Sequence, residues 1–134
     1  MALRFILSIL ITVICYPLAG QADSPEKFLR AGPEDFLTLI RFREKAVLID
    51  VRHPFEYRKG RIENSINIPL SKRFVKRTAH IPRESVLLLY CTTDVRSIIA
   101  AEKMYDAGFR QIYILDGGTE AWERKGLPLA GKKR

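Results

Sequence analysis

Four short apolar runs alternate along the chain with segments whose apolar residues recur at helical spacing. The runs cover residues 47–51, 66–69, 86–90 and 111–115. They are rich in Val, Ile and Leu and nearly continuous, which is typical of strands covered by other elements on both faces. Strands that alternate with helices predict an α/β domain with a mainly parallel sheet.

The strongest helical pattern begins at about Ser97 and ends at Gly108, a residue that commonly follows the last turn of a helix. Its apolar stripe consists of Ile98, Ala101 and Tyr105, at spacings of three and four residues. Three further segments predict helices, at residues 32–44, 70–80 and 119–126.

Two of these segments carry particular expectations about the core. The helix over 70–80 is the weakest, with Ser71 as its cap and Phe74 and Val75 facing inward. The helix that begins at Thr119 carries Trp122, which we expect to fill the core.

The first 22 residues have the pattern of an export signal. Arg4 precedes the apolar run 5–14, and small residues follow it, as in a secretory signal peptide. The run is shorter than the about 20 apolar residues of a membrane-spanning helix. We therefore expect a cleaved signal over 1–22, with a retained membrane anchor as the alternative. A single domain would then cover 23–134, in the periplasm or outside the cell.

Removal of that signal would also remove Cys15 and leave Cys91 as the only cysteine. Exported domains usually hold cysteines in pairs, as disulfides. A single cysteine has no internal partner, so Cys91 is either buried and inert or present for its chemistry.

The chain has a formal net charge of +8, which excludes an acidic, anion-repelling domain. Such a field raises the association rate of small anions, although a solvated basic face is the plainer interpretation. No pattern of stacking aromatic and basic residues accompanies the charge, so we do not expect nucleic-acid binding. The basic residues cluster at Lys72, Arg73, Lys76, Arg77 and Arg83, and again at 132–134.

Cys91 follows a predicted strand and precedes a polar turn, "TTDVRS", that leads into a helix. Ligands of parallel sheets gather beyond the carboxyl ends of the strands. The N–H groups of the turn, the positive end of the helix and Arg96 all favour a thiolate. We therefore predict an accessible Cys91 with a lowered pKa. A buried structural cysteine is the alternative.

Three segments of the chain together resemble the single-domain rhodanese family, whose members are thiosulfate sulfurtransferase-like. They are "IDVRHPFEYRKGRIENSINIPL" (49–70), "YCTTDVRS" (90–97) and "LDGGTEAWERKGLPL" (115–129), within a resemblance that covers 28–129. The resemblance implies a three-layer α/β domain with a central, mainly parallel sheet of about five strands flanked by helices.

The resemblance also implies a reaction through a persulfide on Cys91. A sulfane sulfur would pass from thiosulfate, a persulfide or a polysulfide to a thiol or to cyanide, without a cofactor or a metal. The spacing Cys-x4-Arg is one residue shorter than the Cys-x5-Arg loop of phosphatases that share the fold. The substrate-binding residues implied are Thr92, Thr93, Asp94, Val95, Arg96 and Ser97, whose amides would form an anion cradle, and Arg52.

Two alternatives come from other functional classes. One is a catalytically silent rhodanese module that binds a partner protein, and the other is a cysteine that senses oxidation without transferring sulfur. Asp94 favours the silent module, because it stands where the family commonly has glycine. That position often needs a left-handed or tight backbone, which aspartate tolerates better than most residues, so we expect the loop to close with Asp94. We also expect the carboxylate to repel a dianionic donor, unless it pairs with Arg96 or points outward.

The remaining motif residues are expected to support the site. Asp50 and Arg52 end a strand at the same sheet edge as Cys91, where a structural ion pair is the alternative to substrate contact. Glu56 and Tyr57 are expected to anchor the short helix after Pro54. Gly117 and Gly118 are expected to let the backbone pass close to the cysteine turn. The oligomeric state stays open.

Overall fold

A computed structural model describes residues 26–43 and 45–131. The predicted signal segment 1–22, including Cys15, and the basic tail 132–134 lie outside the described residues. In the described part of the chain, no helix is long and apolar enough to cross a membrane.

Five strands and five helices follow one another in the described residues. The strands are β1 (Leu29–Ala31), β2 (Val47–Asp50), β3 (Ile66–Asn67), β4 (Val86–Tyr90) and β5 (Gln111–Leu115). The helices are α1 (Pro33–Phe42), α2 (Pro54–Lys59), α3 (Phe74–Arg77), α4 (Val95–Asp106) and α5 (Gly118–Arg124). All strand pairs are parallel, in the order β1-β5-β4-β2-β3.

Side chains of the central strand β4 point alternately into two apolar clusters. Leu87 and Leu89 belong to the cluster on the side of α3 and α4, together with Phe74, Ala100 and Met104. Leu88 and Tyr90 belong to the other cluster, which contains residues of α1 and α5. The sheet is therefore covered on both faces, and the predicted three-layer α/β fold is confirmed.

Several element boundaries differ from those that the sequence predicts. Strand β1 was not predicted, because only one of its three residues, Ala31, is buried and a short strand leaves little pattern. Helix α3 is shorter than the predicted 70–80, and the inward position of Val75 is wrong, since it is 41% exposed. Trp122 is buried in the core as expected.

Parallel strands place their carboxyl ends at one edge of the sheet. Asp50 at the end of β2, Cys91 after β4 and Asp116 after β5 therefore share that edge. The predicted site residues follow these strand ends.

Candidate functional site

The loop after β4, residues 91–97, is held by the first turn of α5. The N–H of Thr119 donates to the Cys91 carbonyl at 2.9 Å, and that of Glu120 donates to the Thr92 carbonyl at 3.1 Å. In a planar trans peptide, a carbonyl and the following N–H point in opposite directions. The N–H groups of Thr92 and Thr93 therefore point away from α5.

None of the six N–H groups of residues 92–97 donates a hydrogen bond to another described residue. The first bonded amide of this segment is that of Ile98, which donates to the Asp94 carbonyl at 2.9 Å. Consecutive unpaired N–H groups at the positive end of a helix form a concavity that favours anions. The loop has the hydrogen-bond donors that the predicted anion cradle requires.

Gly118 lies directly against this loop. A Cβ atom at Gly118 would stand 2.1 Å from the Thr93 carbonyl oxygen and 2.5 Å from that of Cys91. The backbone at Gly118 is also left-handed, with φ of 58°. The expected close approach is therefore confirmed for Gly118, whereas a Cβ at Gly117 would meet Ala121 at 2.7 Å.

Cys91 is buried, so the expectation of an accessible sulfur is wrong for this conformation. The residue is 1% exposed and belongs to the same apolar cluster as Leu87 and Leu89. The reason is that the two-residue period of β4 places position 91 on the same covered face as Leu87 and Leu89, despite the polar residues that follow. The thiol donates to the Ser97 hydroxyl oxygen at 3.7 Å, and that hydroxyl donates to the Asp94 carbonyl at 2.9 Å.

Arg96 folds back across the loop and is fixed there by Glu56. Its two terminal nitrogens donate to the Glu56 carboxylate at 2.8 and 2.9 Å, and one also donates to the Thr92 hydroxyl oxygen at 3.0 Å. The Thr92 hydroxyl in turn donates to Glu56 at 3.0 Å. Charged bidentate pairs are stronger and more directional than neutral hydrogen bonds.

The contact between Glu56 and Arg96 shifts the titration of both groups. The hydrogen bonds from Arg96 lower the pKa of Glu56 to about 2, against the opposing effect of burial. The hydrogen bonds to Glu56 raise the pKa of Arg96 further above its already high value. Glu56 also accepts from the His53 N–H at 3.0 Å, which is its expected role in anchoring α2. Its link to the loop was not predicted.

Asp94 pairs with Arg30 of β1, and not with Arg96. Arg30 also contacts Asp116, with its Nε 3.0 Å from the Asp116 carboxylate. The carboxylate of Asp94 thus points outward, which was one of the two expected ways to remove its charge from the cradle. The backbone at Asp94 is not left-handed, since its φ is −153°, and the loop closes with aspartate there, as expected.

Arg52 is braced by the ion pair that the sequence suggested. Its guanidinium donates to both oxygens of Asp50, the shortest contact being 2.6 Å, and to the Gly60 carbonyl at 2.6 Å. Arg52 is 5% exposed and lines, with Thr92, an open cleft of about 370 Å³. The structural ion pair is confirmed, and substrate contact by Arg52 stays a prediction.

The remaining predicted site residues stand on different sides of the loop. Thr93 and Val95 are exposed, Val95 to 62%, whereas Ser97 is fully buried beneath them. The side chains of Thr93 and Val95 therefore face solvent, whereas that of Ser97 faces the Cys91 thiol.

Substitution of Gly118 by Ala is expected to lower the free energy of unfolding by about 2–4 kcal/mol, because the added methyl group overpacks the loop and the backbone is left-handed. Gly32→Ala is the control, since a Cβ there meets nothing within 4 Å. Urea denaturation measures both. An equal, small effect of the two substitutions would contradict this close packing.

The pKa of Glu56 predicts a pH dependence of stability. Because its pKa is about 2 in the folded chain and ordinarily 4.5, its stabilising contribution is complete above pH 4.5 and is lost as the pH falls toward 2. We expect Glu56→Gln to reduce the difference in the free energy of unfolding between these pH values. Glu102→Gln, an exposed position on α4, is the control. The same pH slope in wild type and Glu56→Gln would contradict the ion pair.

Comparison with known proteins relates this site to a family. The family model described as "Rhodanese-like domain" matches residues 32–125. A sulfurtransferase of Allochromatium vinosum is 31% identical over 86 residues, covering 64% of this chain and 79% of the relative.

Solved structures agree with this comparison. A rhodanese-related protein from Thermoplasma volcanium has a TM-score of 0.67 at 30% identity and covers 77% of this chain and 98% of its own. The polysulfide-sulfur transferase homodimer of Wolinella succinogenes has a TM-score of 0.64 at 26% identity, covering 77% and 78%. These relatives support a sulfurtransferase-type role. Because the family model matches most of the chain, the chain belongs to the rhodanese-like domain family.

Proposed function

We propose that this chain is an exported sulfurtransferase that moves a sulfane sulfur through a persulfide on Cys91. The observation that carries the proposal is the set of N–H groups at residues 92–97, which begins directly after the cysteine and has no hydrogen-bond partner in the part of the chain that the structure describes. Such groups stabilise negative charge that develops on a sulfur or oxygen atom. The burial of the thiol beside them also excludes water from the reacting atoms.

The reaction has two steps, transfer of the sulfur to Cys91 and transfer from Cys91 to the acceptor. In the first, the Cys91 thiolate attacks the outer sulfur of the donor, an S–S bond forms, and the donor's own S–S bond breaks. Thiosulfate releases sulfite, and a persulfide releases its parent thiolate. In the second step, cyanide or an external thiolate takes the outer sulfur and the Cys91 thiolate is regenerated. A covalent intermediate divides one difficult transfer into two easier ones.

The cradle residues have separate roles in this proposal. Amides of residues 92–97 hold the anionic donor, and the Ser97 hydroxyl turns toward the thiolate once the thiol proton has gone. Arg96 contributes positive charge from its fixed position beside Glu56, and Arg52 lines the neighbouring cleft. No step requires a cofactor or a metal.

The donor is a small anionic sulfur compound, and the rim of the loop favours one of low charge. The Asp94 carboxylate points out of the cradle, but it shares Arg30 with Asp116, so these three side chains leave a net charge of −1 at the rim that a dianion such as thiosulfate has to pass. The similarity to a polysulfide-sulfur transferase supports polysulfide or persulfide as a donor. The acceptor is external, because Cys15 lies in the predicted signal segment.

The location of the protein is part of the same proposal. The basic, apolar and small residues of segment 1–22 support export to the periplasm or beyond the cell. Membrane attachment would follow only if that segment is retained.

A second candidate function is a catalytically silent module that binds a partner protein. The observation that favours it is the burial of Cys91, of which only 1% is exposed. A donor reaches this sulfur only when neighbouring side chains or the loop move. A cysteine that never becomes reachable has no catalytic role.

Peptide mass spectrometry after incubation with thiosulfate, a persulfide or a polysulfide tests the proposal. The peptide that contains Cys91 is expected to gain one sulfur atom and to lose it again when cyanide or a thiol is added. Cys91→Ser is the control and is expected to gain none at that position. Failure of every donor to form the adduct would reject the sulfurtransferase and favour the silent module. Reversible oxidation by peroxide without any persulfide would favour the redox-sensing thiol.

A further inference from the structure

Ionic contacts brace the cysteine loop on two opposite sides. Strands β5 and β1 lie on one side of β4, and β2 lies on the other. Asp94 is drawn toward the first side by Arg30, which extends from β1. Arg96 is drawn toward the second side by Glu56, in the helix that follows β2.

The position of Asp94 makes its outward orientation unusual. Asp94 is the N-cap residue of α4, and aspartate at an N-cap ordinarily accepts hydrogen bonds from the N–H groups two or three residues later. Here those groups belong to Arg96 and Ser97, two members of the cradle. The Asp94 side chain makes no such capping bond and pairs with Arg30.

The alternative orientation would close the cradle. A carboxylate that capped α4 would occupy two of the unpaired N–H groups and place a negative charge beside Cys91. Asp94 is the only acidic residue between positions 91 and 97. Its carboxylate can therefore compete with a bound anion for the N–H groups of the cradle.

Arg30 offers the Asp94 carboxylate a charged partner in place of the α4 amides. Its guanidinium contacts Asp94 and Asp116 together, and its Nε lies 3.0 Å from Asp116. These hydrogen bonds, the one to Asp116 first, raise the pKa of Arg30, which therefore stays charged. Because its side chain is 46% exposed, salt weakens the pairing.

We propose that Arg30 is a positioning residue that keeps the anion cradle open by holding the Asp94 carboxylate outside it. This inference rests on the proposed function for the identity of the anion. One guanidinium between two carboxylates leaves the cluster with a net charge of −1 at the rim. The cluster therefore admits singly charged donors more readily than dianions.

Two alkylating reagents of nearly equal size test this inference without sulfur transfer. Iodoacetate is an anion and iodoacetamide is neutral, and both react when a thiolate sulfur bonds to their methylene carbon and iodide leaves. The ratio of their rates at the Cys91 peptide reports the charge that an anion meets in the loop. Changes in the exposure of Cys91 affect both rates and cancel in the ratio.

Arg30→Ala is expected to lower the iodoacetate-to-iodoacetamide ratio by about 3- to 10-fold, the effect of one uncompensated charge at close range in a partly solvated site. Arg30→Ala combined with Asp94→Ala is expected to restore the ratio, and Arg30→Lys to stay close to wild type. Arg41→Ala is the matched control, because it removes the same charge near the starts of β2 and β4, at the opposite sheet edge.

An unchanged ratio in Arg30→Ala would overturn the inference. A decrease that persists in the double variant, or one that Arg41→Ala reproduces, would overturn it as well, and so would a wild-type Cys91 that reacts with neither reagent. The outcome is separable from the proposed function. If the ratios behave as expected but no persulfide forms on Cys91, Arg30 keeps its positioning role and the sulfurtransferase is rejected.

Discussion

The orientation of two peptide planes after β4 is the constraint on which the site depends. The first turn of a helix has N–H groups without partners inside the helix. Helix α5 directs those of Thr119 and Glu120 at the carbonyls of Cys91 and Thr92. This contact turns the opposite, N–H side of the same peptides away from α5. Gly118 makes it possible, because any side chain there would collide with the loop.

Two helices thus use their N-terminal ends in complementary ways. Helix α5 satisfies the carbonyl oxygens of the loop, whereas the first amides of α4, which begins at Val95, have no partner among the described residues. Charged side chains then fix the loop laterally, through Glu56 on one side and Arg30 on the other. The cost of unpaired N–H groups is small where solvent or an anion reaches them, and this loop is only partly buried.

The sequence predicts those parts of the structure that depend on local pattern. The alternation of strands with helices, the cysteine at a strand end and the ion pair between Asp50 and Arg52 each depend on neighbouring residues or on runs of apolar ones. The burial of Cys91 was predictable too, because the alternation of Leu87 and Leu89 continues to position 91. The polar turn that follows does not override that periodicity.

The ion pairs that hold the loop leave no pattern in the neighbouring sequence. Arg30 and Asp94 are 64 residues apart, and Glu56 and Arg96 are 40 apart, so the contacts exist only once the sheet order is known. The glycine that the family commonly has at this position suggests a left-handed or tight backbone, but the loop closes with a negative φ at Asp94.

The central claim is that the amides of residues 92–97 bind an anion, and amide NMR tests it most directly. Wild-type protein labelled with ¹⁵N would be titrated with thiosulfate and with a persulfide, against chloride at equal ionic strength. We predict saturable shifts concentrated at the N–H signals of residues 92–97, which chloride does not reproduce. Signals of these residues that stay unmoved by every sulfur anion, while shifts appear only elsewhere, would contradict the claim.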